Sequence, residues 1–477
     1  MKDARFDPAR WADRRRPFDA LEAQVVRLHL ANPDRDADHV VDALRYVLSF
    51  ARLTTIRNRD GVDVDVSGVN HLHAMQVQEA LTERLDGADS LWNAARVLPD
   101  LVEATRRARA SILARLPIDR DALEAEVTTR LLAVVSGGGG GAGYVYPGCF
   151  EVLERSGLIP DLMVGTSIGA LMSMFRARRR RYDPAPMVSA ARRLSWGTVF
   201  QVLEAENRYG LPATLRLYLR TALGHLFQDA DGESLRLSDM EIPLYVIATG
   251  ITVDALKHDL DYYEHFFDAE LRRRSVRSGV RGVLKTIAIL AEFLARLDAL
   301  KEIVLGRAPG TEDFDVLDAA GFSAAIPGVI HYDVVRPDPR MHRLLDQLYA
   351  TYGITRLGEG GMVANVPARV AWETAVGGFI GGGRRNVFVL ALDCFATGSS
   401  SLAWFPLQQI VRTSNVEAHK VFADLYLGFP RTLSPMNLVP SLRDVFMAMR
   451  WGRDRLQIQM PFVLEMTNPI PVLSGAS

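Results

Sequence analysis

Gly165-Thr166-Ser167-Ile168-Gly169 has the form G-x-S-x-G. Small residues at those positions let a chain turn sharply from a strand into a helix. The serine hydroxyl is then left at the helix N-terminus, where peptide dipoles favour developing negative charge. The chemistry served is nucleophilic attack on an acyl carbonyl. An apolar run, Asp161 to Val164, precedes the turn, and Ala170, Leu171, Met172 and Met174 follow it as the start of a helix. Taken alone, the pentapeptide also fits a glycine-rich turn with a bystander serine.

A second element is the glycine-rich stretch from Gly137 to Gly143, directly after the apolar run Leu131 to Val135. Backbone N–H groups unobstructed by side chains can converge on one oxyanion, as acyl transfer requires. Gly138, Gly140 and Gly143 also satisfy the dinucleotide fingerprint G-x-G-x-x-G, with Asp161 about 20 residues on. That acid stands before the second strand, whereas a ribose-binding acid belongs at its far end. No lysine follows the glycines, which excludes a Walker A loop. The stretch is read as an oxyanion loop.

The third element is Leu357-Gly358-Glu359-Gly360-Gly361, followed by Asn365 and Pro367. With all three motifs in this order, the chain resembles the patatin-like phospholipases. That family has a glycine-rich loop after its first strand, G-x-S-x-G after its second, and a late D-G-[GA] with an N-x-P-like stretch. Ile242-Pro243-Leu244 with Ala248-Thr249, and Ala324-Ala325-Ile326-Pro327-Gly328, look like two further family segments, so the likeness covers about residues 128 to 395.

The resemblance implies a lipid acyl hydrolase of the phospholipase A or lysophospholipase kind. In it Ser167 attacks an ester and Glu359 takes the proton. Gly139, Gly140 and Gly141 offer oxyanion N–H groups, and Gly165, Gly169, Gly360 and Gly361 support the two turns. An acyl-enzyme forms, and no metal or organic cofactor is needed. The sequence departs from the family at two places. Glu359 stands where the family has aspartate, one methylene longer, and Ala142 stands where arginine or lysine is common. These leave either a retuned hydrolase, the reading adopted, or a catalytically silent lipid-binding or scaffold protein. His419 follows Glu359 in the Ser–acid–His order of other hydrolases but reads as part of an ordinary helix. Asp393 is the next acid to consider if Glu359 is not the base.

These motifs need strands and helices to hold them. Phe18, Leu21, Val25 and Leu28 recur at helical spacing, as do Val40, Leu44, Val47 and Leu48. Ser90 is a candidate cap for a helix that Pro99 kinks or restarts. Alternating valine and aspartate between Gly61 and Gly68 predicts a short hairpin or loop. Further apolar runs at Ile242–Ala248 and Asn386–Leu392 alternate with helical stretches, which argues for an α/β fold with a mostly parallel sheet. The resemblance makes this a three-layer α/β/α patatin-like domain over residues 128–395. A helical N-terminal region spans 1–127 and a helical C-terminal region 396–477.

The composition is that of a globular protein, with 48% hydrophobic and 24% charged residues among 477. A net charge of -1 gives no overall field for nucleic acid. The N-terminus has no apolar signal-type segment, and no stretch is apolar enough to span a bilayer. Two cysteines, Cys149 and Cys394, fit a reducing compartment. The expectation is a cytoplasmic protein acting on lipid esters. Arginines at 176 and 178–181, and at 272–274, 277 and 281, lead to an amphipathic stretch from Val283 to Leu305. Contact with an anionic membrane surface is weighed there against an ordinary solvated face. His71 and His73 have no third or fourth partner that would make them a metal pair.

Overall fold

Apolar side chains recurring every three or four positions give the N-terminal region its helices. They are α1 (Pro8–Ala31), α2 (Asp38–Ala51), α3 (Ser67–Thr82), α4 (Ser90–Arg115) and α5 (Arg120–Thr128). Phe18, Leu21 and Val25 of α1 pack with Val40, Leu44, Val47 and Leu48 of α2 in one buried cluster. Pro99 lies inside α4, which continues through it. The valine–aspartate alternation forms the second arm of a hairpin, β1 (Thr55–Arg57) against β2 (Asp63–Asp65). The structure, a computed structural model, describes residues 8–33, 37–85, 90–201, 208–211, 213–252, 300–395 and 416–473. The arginines between 272 and 281, and the amphipathic stretch up to residue 299, lie outside the described residues.

The apolar runs are buried strands of one sheet: β3 (Leu131–Ser136), β4 (Leu162–Thr166), β7 (Leu244–Ile251) and β11 (Val387–Asp393). Between them in sequence come β5 (Phe200–Gln201), β6 (Ala213–Leu217), β8 (Leu300–Leu305), β9 (Gly328–His331) and β10 (Arg356–Gly358), and β12 (Leu425–Gly428) follows. The order across the main sheet is β10-β7-β4-β3-β11-β12, with β8 on the other edge of β7. The β7–β4–β3–β11–β12 pairs are parallel, while β8 and β10 run antiparallel to β7. Leu300–Leu305, expected as the end of an amphipathic helix, is instead strand β8. The C-terminal region, expected to be helical, also supplies edge strand β12. A smaller sheet has the order β5-β6-β9.

Side chains of β3 alternate between two cores. Leu132 and Val134 belong to one, and Leu131, Ala133 and Val135 to the other. Both faces of the sheet are therefore covered, which makes a three-layer α/β/α domain. The first face carries α6 (Tyr146–Arg155), α7 (Ile168–Ala177) and the C-terminal helix Leu442–Gln457, and the second carries the helix Ala368–Val376. The C-terminal helix lies very close on α6: a methyl at Gly148 would stand 1.9 Å from the Met449 carbonyl.

A buried ion network ties the N-terminal helices to the sheet. Glu22, fully buried on α1, meets Arg52 at 2.8 Å, Arg45 at 3.2 Å and Arg130, which precedes β3, at 2.5 Å. Arg16 reaches Asp424, just before β12, at 2.9 Å. The network therefore sits at the N-terminal ends of these parallel strands, opposite the ends that carry the motifs.

Candidate active site

β4 runs parallel to β7 and β10 antiparallel to it, and both lie on the same edge of β7, because β8 occupies the other. Thr166 pairs with Ile247, and Gly358 pairs with Thr249. The two strands thus run head to head and end on either side of Ala248. The next residue of each chain is Ser167 in one and Glu359 in the other. A methyl built on Gly138 would stand 3.2 Å from Ser167 Cβ, 3.6 Å from Glu359 Oε1 and 2.7 Å from Asn365 Oδ1, so all three side chains meet at one point beside the glycine loop.

Ser167 is 6% exposed and holds φ 56° and ψ -125°, the one non-glycine residue at positive φ among the described residues. A non-glycine residue in this region stores on the order of 1–3 kcal/mol of strain, so the surroundings must impose it. Gly169 helps by closeness, since a methyl there would lie 2.0 Å from the Ser136 carbonyl. Gly165 likewise packs against the Ala170 backbone. The Ser167 N–H donates to Ser323 Oγ at 2.8 Å, and α7 begins at the next residue.

The Glu359 turn is held by its backbone. Its N–H donates to the Ala325 carbonyl at 2.9 Å, and its carbonyl accepts from Thr249 Oγ1 at 2.6 Å. Gly360 opens the short turn Gly360–Met362, and the Gly361 N–H donates to Glu359 Oε1 at 3.4 Å. Thr166 Oγ1 donates to the Ala364 carbonyl at 2.9 Å, which joins the two turns directly. Glu359 keeps part of its surface open, yet Oε2 is buried and has no hydrogen-bond partner. Burial pushes its carboxyl up to about 8, and only the Ser167 hydroxyl and the Gly361 N–H pull it back. No cation acts on it among the described residues, in keeping with alanine at position 142.

The glycine loop keeps two of its N–H groups unspent. The Gly138 N–H donates to the Asn365 carbonyl at 3.1 Å, and the Gly141 N–H donates to the Pro435 carbonyl at 2.9 Å. The Gly141 N–H, one of the three expected oxyanion donors, is thus engaged by the C-terminal region. Among the described residues the N–H groups of Gly139 and Gly140 have no acceptor. Gly139 at φ 156° and Gly140 at φ 55° take a path closed to other residues, and a methyl on Gly140 would lie 2.3 Å from the Pro435 carbonyl.

A cavity opens beside Ser167 and Gly140. Its other walls are almost wholly apolar, with Leu171, Met172 and Phe175 from α7, Ala190 and Ala191 from the helix Ala185–Arg193, and Leu223 and Leu438. Such a space accepts a hydrocarbon chain and rejects a charged one.

The sequence profile of the patatin-like phospholipases matches residues 134–372, which is 239 of the 477 residues. This chain belongs to the patatin-like phospholipase family. It is 27% identical over 174 residues to patatin-like phospholipase domain-containing protein 7 of Mus musculus, covering 35% of this chain and 12% of the relative. The same figures hold for the protein of that name from Rattus norvegicus. The chain therefore spans about an eighth of the length of these relatives.

In this patatin-like chain the remaining sequence candidates fall away from the site. Asp161 lies at the opposite, N-terminal end of β4, where its Oδ2 accepts from the Leu132 N–H at 2.8 Å. Asp393 ends β11, two strands from β4, and accepts from the Tyr426 hydroxyl at 2.6 Å. His419 is buried on the helix Val416–Lys420 with its ring pushed down to about 4 by burial, and no histidine is among the cavity's described walls. His73 is buried against Thr105 while His71 is exposed, so the two do not share a face. The Arg176–Arg181 cluster is partly internal. Arg176 is fully buried and bonds the carbonyls of Arg179 and Arg180, Arg178 lies over Phe227, and Arg179 pairs with Glu241. Motif reading missed Ser323, which carries no pattern of its own, and Pro435, which lies in a region without a chemical motif.

Proposed function

We propose that the protein hydrolyses lipid acyl esters through a Ser167–Glu359 dyad. The observation that carries this reading is the head-to-head meeting of β4 and β10, which makes Ser167 and Glu359 their next residues, with Ser167 at the wall of an apolar cavity. The acyl chain occupies the cavity, and the ester carbonyl lies against the Gly139 and Gly140 N–H groups. Ser167 Oγ attacks the carbonyl carbon as Glu359 takes its proton, and the two N–H groups and the α7 dipole stabilise the oxyanion. Collapse breaks the bond to the leaving alcohol, which receives the proton from Glu359. Water then attacks the acyl-enzyme, giving its proton to Glu359, and Ser167 leaves with a proton restored. The deciding experiment measures hydrolysis of long- and short-chain p-nitrophenyl esters by wild type and Ser167→Ala, with fluorophosphonate labelling alongside. Equal turnover or labelling by the two proteins would remove Ser167 from the reaction.

A second reading has an observation in its favour. A carboxyl pushed up to about 8 is protonated in most molecules at neutral pH and cannot then accept a proton. A protein with this cavity and a silent site would bind lipid without cleaving it. Fatty-acid binding with no turnover between pH 7 and 9.5 would select that reading.

A further inference from the structure

Arg192 and Arg193 end the helix Ala185–Arg193, and both are exposed with no ion-pair partner among the described residues. Two residues on, Ser195 and Thr198 cap a short turn reciprocally: the Thr198 N–H donates to Ser195 Oγ at 3.3 Å, and the Ser195 N–H donates to Thr198 Oγ1 at 2.9 Å. That turn holds Trp196 in a fixed position, 48% exposed, with its ring 5.0 Å from that of Phe200. Phe200 and Leu194 line the apolar cavity, whereas Trp196 does not. The segment thus alternates residues that line the apolar cavity, Leu194 and Phe200, with an exposed indole and two exposed arginines.

The charge of this region is local. Residues 176–200 hold seven arginines against a single acid, Asp183; Arg176 is internal and Arg179 pairs with Glu241, which leaves Arg192 and Arg193 as the exposed pair beside Trp196. An indole with its apolar body exposed and basic residues beside it has the composition of a surface that sits at the lipid headgroup layer. No helix of the described residues is long and apolar enough to cross a membrane.

We propose that the segment from Arg192 to Phe200 docks on the surface of an anionic phospholipid bilayer. Trp196 enters the interfacial layer, and Arg192 and Arg193 pair with lipid phosphates and carboxylates. The outer side of the cavity wall then rests on the membrane that holds the substrate, and an acyl chain has a short apolar route from bilayer to Ser167. This docking rests on the lipid-hydrolase reading for its purpose, though not for its chemistry.

The test uses the full chain carrying Ser167→Ala, so that vesicles stay intact, in sedimentation with phosphatidylcholine–phosphatidylserine vesicles and with phosphatidylcholine alone. Binding is expected to favour the anionic vesicles and to weaken with added salt. Arg192→Glu with Arg193→Glu should lower the affinity by at least roughly 30-fold, since each basic residue near such a surface contributes about a fivefold share and reversal adds repulsion. Trp196→Ala should lower it about tenfold by loss of its interfacial burial. Should the charge-reversed protein lose its melting transition, Arg192→Gln with Arg193→Gln and Trp196→Ala carry the test. Binding unchanged in these variants, or equal on neutral vesicles, would overturn the docking surface. Hydrolysis of a soluble short-chain ester by the same variants with Ser167 restored separates the two readings. Retained turnover with lost vesicle binding supports docking, and a wild type that binds vesicles but cleaves no ester sinks the hydrolase reading alone.

Discussion

Ser167 and Glu359 are the first residues beyond two strands that approach each other along one edge of β7 and stop on either side of Ala248. Their proximity is therefore a property of sheet register. It does not depend on a flexible loop. The C-terminal end of the helix Val316–Ser323 clamps both, since Ser323 Oγ accepts the Ser167 N–H and the Ala325 carbonyl accepts the Glu359 N–H.

The strain at Ser167 gives a signature that a surface serine would lack. Ser167→Gly should abolish ester hydrolysis while raising stability by about 1 kcal/mol, the relief of positive-φ strain minus the added freedom of glycine in the unfolded chain. Ser167→Ala should abolish hydrolysis without that gain. Urea titration of the three proteins measures the difference, and a Ser167→Gly protein less stable than Ser167→Ala would contradict it.

Gly140 tests the donor pair. A methyl there meets the Pro435 carbonyl and is barred by φ 55°, so Gly140→Ala should displace the loop from Ser167. Loss of one oxyanion donor costs roughly 100- to 1,000-fold in kcat. KM for a short-chain ester should change far less. A drop confined to KM would mean that the loop only binds substrate.

The cavity makes a chain-length prediction. Ala191 lines it from the helix Ala185–Arg193 and belongs to neither dyad turn, so Ala191→Trp fills acyl space. Turnover of a palmitoyl ester should fall at least about tenfold relative to a butyryl ester, since hydrocarbon that no longer fits loses its burial energy. An unchanged ratio would place the acyl chain elsewhere.

Much of this architecture was legible in the sequence because parallel strands are buried on both faces and read as continuous apolar runs, as Leu131 to Val135 does. The order of three glycine motifs pointed to Ser167 and Glu359. What stayed hidden depended on contacts distant in sequence. Leu300–Leu305 looks helical in isolation, and it is pairing with β7 that makes it a strand. Gly141 looked equivalent to its neighbours until Pro435, nearly 300 residues on, took its N–H. Arg176 read as one of a solvated run, yet it is internal because its guanidinium caps the turn that follows α7. Glu22, an unremarked acid on an amphipathic helix, proves to be the centre of a buried ion network.

That network predicts acid lability. Burial alone would raise the Glu22 carboxyl, but Arg130, Arg52 and Arg45 outweigh it and hold it down to about 2. A depressed folded value means stabilisation that is present above the unfolded value of 4.5 and lost as pH falls towards 2. Glu22→Gln strands three arginines and should cost about 3–5 kcal/mol at neutral pH. The difference from wild type should shrink below pH 4, and a gap that persists there would point to packing as the cause.

Glu359 carries the opposite sign, and it couples activity to stability. Its carboxyl is pushed from 4.5 up to about 8 by burial. Below pH 4.5 it is neutral in both folded and unfolded chains, so it takes nothing from stability. Between 4.5 and 8 the unfolded chain ionises and the folded site does not, so stability falls steadily as pH rises, by up to about 3–5 kcal/mol. Glu359→Gln cannot ionise and should be more stable than wild type by an amount that grows over that window and levels off above pH 8. The same substitution should remove nearly all hydrolysis, because an amide cannot take the Ser167 proton. Wild-type kcat/KM should rise about tenfold per pH unit until it flattens near pH 8. Glu359→Asp adds a geometric test, since withdrawing the carboxylate by about 1 Å should cost on the order of 10- to 100-fold in a site built around glutamate. A Glu359→Gln protein that keeps wild-type turnover, or one whose stability tracks wild type at every pH, would show that the carboxyl beside Ser167 is neither the base nor buried in its neutral form.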